Sequence, residues 1–371
     1  MAKRLPRRLV SDPGRPVSSA PRGGRLADRS SGNERRKDAQ LRACLTNDVQ
    51  GGEITTGFER YRFVHQALPE IDWAAIDLSV SLLGKRLAAP VVISPMTGGC
   101  RLGAVINRNL ALAAQRLGLA MGVGSQRAAI VDPALAWTYQ VREYAPDILL
   151  LGNLGAVQLN AGFGLAECRL AMAMIGADGL YLHLNALQEV HQCPGDRNFR
   201  GLIEQIAAVC GQLGAPVVAK EVGWGISRQA AAALAATGVS GIDVSGAGGT
   251  SWSVVQQLVA GKTREEALRS PFAAWGIPTA ESLRQALATA PGLPVIASGG
   301  IRNGVDAAKA LALGATAVGI AQPLLQPAAE SAAAVIAKLE QFILELRTAL
   351  FCVGAASIAS LPQTQQLVET A

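Results

Sequence analysis

Eight short apolar runs recur along this chain, each closed by glycine or polar residues. They are PVVISPM (90–96), GLAMGVG (118–124), DILLLGNLG (147–155), GLYLHLN (179–185), APVVAKE (215–221), GIDVSG (241–246), LPVIASGG (293–300) and TAVGIAQ (316–322). Runs this short and this rich in Val and Ile suit strands buried on both faces. Between them lie Ala/Leu-rich stretches with helical spacing, such as 107–118, 199–214, 227–238 and 304–315, and several end in glycine as a helix C-cap does. Strand alternating with helix through eight rounds predicts an α/β fold, a (β/α)8 TIM barrel, with a doubly wound open sheet as the alternative. Residues 38–89 are expected to cap the barrel. Residues 247–292 carry an excursion over its mouth plus the sixth helix, and 325–350 a final helix or two.

The net charge of +6 sits almost wholly in a tail. Residues 1–37 hold eleven Lys/Arg and three acids, a net of +8, which leaves the remainder at −2. The tail is rich in Arg, Pro, Gly and Ser without apolar periodicity, so residues 1–33 are expected to be disordered and 34–360 to form one barrel domain. The tail lacks the apolar core of a secretory signal. A nucleic-acid or membrane-surface arm, or a transit peptide, is the lesser alternative, and neither a nucleic-acid nor a membrane partner is expected. No apolar run is long enough to span a membrane. Six scattered cysteines without Cys-x-x-Cys spacing point to free thiols and a cytoplasmic location.

Active sites of this fold lie at the C-terminal strand ends. Polar residues gather there: Met96-Thr97-Gly98-Gly99, Ser125-Gln126-Arg127, Asn153, His183 with Asn185, Gln188 and Glu189, Lys220-Glu221, 245–250, 299–302 and Ala321-Gln322. SGGIRNG (298–304) reads either as a phosphate-binding turn or as a plain tight β–α turn. Lys220 needs an anionic partner, either a ligand or a neighbouring acid such as Glu221. HLNALQE (183–189) reads either as an anion and Mg²⁺ site or as a satisfied polar cluster. His191 and Cys193 have no partner at ligand spacing.

Taken together, TGFERYRFVHQALPE (56–70), SPMTGG (94–99), GSQR (124–127), GNLG (152–155), HLNALQE, VAKEVGWGIS (218–227), DVSGAGGTSW (243–252), WGIPT (275–279), SGGIRNG and ALGATAVGIAQPLL (312–325) resemble the type 2 isopentenyl-diphosphate isomerase family. The resemblance runs over about residues 35–350. It implies FMN against Pro95, Met96 and Thr97, with Ser125, Asn153, Lys220, Ser245 and Thr250 around its ring and ribityl chain. It places the FMN phosphate on Gly300, Ile301, Arg302, Ala321 and Gln322. It implies a substrate diphosphate, that of isopentenyl diphosphate, on Arg36, Lys37, Ser125, Gln126, Arg127, His183 and Asn185. Glu189 would hold Mg²⁺, Gln188 and His183 would serve the chemistry, and NADPH would reduce the flavin. A homo-oligomer, tetramer or octamer, is implied as well. Two positions depart from the family: Gln40 stands where it usually carries His, and Cys193-Pro194-Gly195-Asp196 replaces Pro-Glu-Gly-Asp. The rivals are an FMN-dependent 2-hydroxy-acid oxidase and a non-catalytic flavin- or nucleic-acid-binding protein. The oxidase needs a His base near the strand ends, and the 245–252 loop has none.

Overall fold

The computed structural model describes residues 24–192 and 195–370. Eight parallel strands close on themselves. They are β1 (Val91–Ile93), β2 (Ala120–Gly122), β3 (Leu150–Gly155), β4 (Gly179–Leu184), β5 (Val217–Glu221), β6 (Gly241–Asp243), β7 (Val295–Ser298) and β8 (Ala317–Ile320). Each falls inside one of the eight apolar runs. Closure comes from β8 pairing with β1, Val318 opposite Val91, and this excludes the open sheet. Every strand residue except Leu184 is buried, as parallel strands inside a ring of helices must be. The helices end where glycine allows a left-handed turn: Gly118 closes Arg101–Leu117 at φ 64° and Gly176 closes Leu165–Ile175 at φ 61°.

The segment before β1 does two jobs at opposite ends of the barrel. A hairpin, Val80–Leu82 with Lys85–Leu87, plugs the N-terminal end. Its turn residues Leu83 and Gly84 both have positive φ, 50° and 81°, which matches the twist of a two-residue hairpin. Leu82 and Leu87 pack on Val92, Leu149, Leu151, Tyr181 and Ile296 inside the barrel floor. Lys85 fixes the plug, donating to the carbonyl of Ile148 at 3.0 Å and pairing with Asp178 at 3.0 Å.

The other part is a helix, Gly24–Thr46, whose last turns run over the barrel mouth. Its first ten residues fall within the stretch expected to be disordered. From Leu41 on, the helix has an apolar face: Leu41 and Ala43 are buried, and Cys44 and Leu45 pack on the core. That packing offsets the poor helix propensity of its Ser- and Gly-containing start. The expectations for residues 1–23 and for Cys193 lie outside the described residues. The excursion after β6 contains helices Trp252–Val259, Arg264–Leu268 and Thr279–Thr289. The last two helices are Leu325–Glu330 and Ala332–Cys352. The chain then returns along the outside, where Leu367–Glu369 pairs antiparallel with Tyr61–Phe63. Among the described residues no helix is long and apolar enough to cross a membrane, and five cysteines are free thiols.

Candidate active site

One cavity occupies the C-terminal mouth, lined from all eight strand ends and from the helix Gly24–Thr46. Of the residues expected at the site, all line it except Gln126. Gln126 is fully buried in the wall. Its amide donates to the Ala171 carbonyl at 2.8 Å and accepts from the Asn153 N–H at 2.9 Å. The short helix Arg127–Val131 starts at once after it, and that turn rotates the side chain out of the mouth. Gln126 therefore supports Asn153, with its side chain turned away from the mouth.

On the β6–β8 side the lining is rich in glycine, with Gly246, Gly249, Gly299, Gly300 and Gly319. Gly248, Gly299 and Gly300 have φ of 104°, 101° and 74°, a region costly to other residues. The loops also touch: a Cβ on Gly249 would lie 2.4 Å from Gly300 N, and one on Gly300 would lie 2.6 Å from Gly248 O. Arg302 ties them together, donating to the carbonyls of Gly248 and Gly300 at 3.2 and 3.1 Å. Ser245 holds φ 37°, rare for a non-glycine residue. This cradle of bare backbone next to the β7 and β8 ends fits the phosphate of a flavin nucleotide. The Thr97 hydroxyl, buried without a partner beside it in the mouth, offers a polar contact further along.

Opposite, β3 and β4 present a connected polar wall. His183 Nδ1 lies 2.8 Å from Asn153 Oδ1, while Asn153 Nδ2 donates to the Val123 carbonyl at 3.1 Å. That network assigns the ring proton to Nδ1. Asn185 donates to Gln188 Oε1 at 3.2 Å and to Glu189 Oε1 at 2.9 Å. Glu189 is buried, and its Oε2 accepts the Asp196 N–H at 2.7 Å. Asp196 in turn pairs with Arg127 at 2.9 Å and accepts from Gln158 at 3.2 Å. Among the described residues no three His, Cys, Asp or Glu gather as a metal cage. Mg²⁺ needs none, since it binds through one or two carboxylates plus phosphate oxygens. Glu189 with Asp196 beside it fits that pattern.

The same wall is cationic. Burial, then Arg36 and Arg127, pull the Lys37 ammonium down to about 8. Burial and Arg127 also lower Arg36, against a smaller upward pull from Glu189 and Asp196. Gln40 lies buried one turn on and lines the cavity. His183 feels the same field: burial, then Lys37 and Lys220, depress it from 6.5 to about 3. Its folded state is therefore neutral, while an unfolded imidazole binds a proton below pH 6.5. The stability this contributes is full above 6.5 and is lost as pH falls from there towards 3, on the order of a few kcal/mol when complete. The expected result is a ¹⁵N spectrum in which the His183 ring stays neutral at pH 5.5; a ring that titrates near 6.5 contradicts the geometry.

Lys220 faces into the barrel from β5. Its partner is Asp243, its register neighbour on β6, at 3.6 Å, and it donates to the Glu221 carbonyl at 2.9 Å. The alternative of a salt bridge to Glu221 does not form. That carboxylate points the other way and accepts four N–H groups of residues 222–225, at 2.5 to 3.2 Å. Adjacent residues on a strand face opposite sides. Asp196, Gln158 and Asp243 went unassigned in the sequence. Asp243 left a signal there, as an acid inside an otherwise apolar run.

The chain matches the model of the FMN-dependent dehydrogenase family over residues 43–137 and 186–369. Among solved structures it is similar to an (S)-mandelate dehydrogenase, at 21% identity and TM-score 0.61 over 93% of this chain and 99% of that one. It is also similar to a flavocytochrome b2, at 20% identity and TM-score 0.64 over 92% and 85%. At such identity these show the fold. An isopentenyl-diphosphate delta-isomerase of Nostoc sp. is 51% identical over 91% of this chain and 97% of its own. Those of Synechococcus sp. and Stutzerimonas stutzeri are 49% and 51% identical, over 88% and 84% of this chain and 94% and 90% of theirs. With half its residues shared over nine-tenths of its length, on a flavin-family barrel, the chain belongs to the type 2, FMN-dependent isopentenyl-diphosphate delta-isomerases.

Proposed function

We propose that the chain converts isopentenyl diphosphate to dimethylallyl diphosphate with bound reduced FMN and Mg²⁺, NADPH serving to reduce the flavin. The observation that carries this reading is the opposition, across one mouth, of a glycine main-chain cradle and a cationic wall of Arg36, Lys37 and Arg127. Two anion sites face each other, one suited to a cofactor phosphate and one to a diphosphate ester.

Lys37, Arg36 and Arg127 would hold the diphosphate, with Ser125 and Asn185 adding hydrogen bonds. The anion would relieve the mutual repulsion that lowers Lys37. A neutral His183, oriented by Asn153, donates no charge and serves to place the ester. Glu189 would hold Mg²⁺ against the diphosphate oxygens. Gln188, tethered by Asn185, would lie along the isoprenyl carbons. Pro95, Met96 and Thr97 would form the floor under the flavin ring, and Gly300, Ile301, Arg302, Ala321 and Gln322 its phosphate seat. Bound reduced FMN would supply the exchangeable proton at N5. The reaction adds a proton at the terminal carbon and removes one at C2, with no net redox, so its groups must reach both carbons. Gln40 in place of a histidine hydrogen-bonds without adding charge, which weakens diphosphate affinity and leaves the chemistry intact. The reading also carries a cytoplasmic tetramer or octamer, checked by sedimentation.

The deciding experiment is an anaerobic assay with FMN, NADPH, Mg²⁺ and isopentenyl diphosphate. Dimethylallyl diphosphate should form without stoichiometric NADPH consumption. Reconstitution with 5-deaza-FMN should abolish turnover; undiminished turnover refutes the flavin's part. Oxidation of a 2-hydroxy acid instead would favour the oxidase reading.

A further inference from the structure

Beneath the mouth, inside the barrel, lies a polar group that the proposed reaction does not use. Asp243 has no solvent exposure, and Lys220 above it is 6% exposed. Ser298 donates to Asp243 Oδ1. The other oxygen, Oδ2, meets no donor in good hydrogen-bond geometry; the fully buried Tyr181 hydroxyl, which lies within its reach, and the buried Ser94 hydroxyl likewise meet no partner so placed. An uncompensated carboxylate so placed costs several kcal/mol. Its compensation is the Lys220 ammonium at 3.6 Å. Glu221 cannot share this task, because its carboxylate is engaged by the 222–225 amides. Asp243 also acts directly on its neighbour Tyr181: after burial, its charge and then a side-chain hydrogen bond push the phenol further up.

The geometry points to Asp243 as a positioning residue that acts through Lys220: it anchors the ammonium from below, so that the cation is presented upward to the cofactor ring and favours its reduced, electron-rich state. The inference rests on the flavin placement given under Proposed function. Lys220 lines the mouth and Asp243 does not, so Asp243 can touch a bound flavin only through the lysine, and its direct charge acts in the opposite sense, against the reduced ring.

The test uses FMN-reconstituted protein and measures flavin stoichiometry and two-electron midpoint potential in the wild type, Lys220→Met, Asp243→Asn and the double variant. Lys220→Met should lower the reduced-to-oxidised binding ratio at least tenfold, about 30 mV in potential. Asp243→Asn should lower it to the same level, because the ammonium, left with the Glu221 carbonyl alone, turns away from the ring, and the double variant should add nothing further. A rise in Asp243→Asn means that other groups hold Lys220 and the carboxylate only opposes it, which overturns the inference. So do additive effects. Should a single variant fail to fold, the double variant, which removes both buried charges, should be the more soluble; a double variant no better than the worse single overturns the pairing. A wild-type chain that retains no flavin sinks the cofactor placement itself, and this inference with it.

Discussion

Gly300→Ala is expected to produce a folded protein that has lost its flavin. An alanine there must keep φ 74°, and its Cβ would lie 2.4 Å from Thr56 Cγ2 and 2.6 Å from the Gly248 carbonyl. The loops that form the cradle must therefore part. We expect a cost of about 2–4 kcal/mol in stability and a fall in FMN affinity of about 100-fold or more, which corresponds to roughly 3 kcal/mol. The control is Gly292→Ala, with a similar φ of 78° and open space around its Cβ. It pays only the left-handed strain, about 1–2 kcal/mol, and should keep its flavin. Thermal melts and fluorescence titration of FMN read the two effects separately. Stoichiometric, tightly bound FMN in Gly300→Ala would remove the cradle from the cofactor site.

Glu189→Gln is the second large effect. Glu189 accepts from Asn185 on one oxygen and from the Asp196 N–H on the other. An amide cannot accept on both sides, so one flip sets NH₂ against the Asp196 amide and the other against Asn185. The second is tolerable, because Asn185 Oδ1 has no partner and the side chain can turn over, giving up its bond to Gln188. The fold should therefore survive, with a loss of about 1–3 kcal/mol. The missing charge should raise the Mg²⁺ concentration needed for diphosphate binding by about 10–100-fold, and turnover should follow. Calorimetry of diphosphate binding across a Mg²⁺ series checks this. An unchanged metal requirement would move the metal elsewhere.

The strands were legible because each is short, apolar and closed by a glycine or polar turn, and such runs have few ways to be buried. The polar residues at their ends were legible for the same reason, since the end of a strand fixes position to within a residue. What spacing does not encode is rotation at that end. Ser125, Gln126 and Arg127 are consecutive, yet the helix that begins at Arg127 sends Gln126 into the wall. Asp196 meets Glu189 through its main-chain N–H, a bond set by the path of the loop and not by side-chain identity, so nothing in the chain announced it. The helix start at Gly24 was hidden by a composition that reads as tail; the packing of Leu41 and Ala43 lies well downstream of it. Lys220 carried two open readings until the fold placed Asp243 beside it.

The helix Gly24–Thr46 brings a last consequence. On the proposed reading the barrel loops seat the nucleotide, whereas Arg36, Lys37 and Gln40 come from a segment that pairs with no barrel strand. The wall proposed for the ester is therefore a composite, with Arg127, His183, Asn185 and Glu189 supplied by the barrel and Arg36, Lys37 and Gln40 by this one helix. A graft of this one helix between relatives would exchange only its own share of the headgroup contacts and leave the yellow colour of the host untouched.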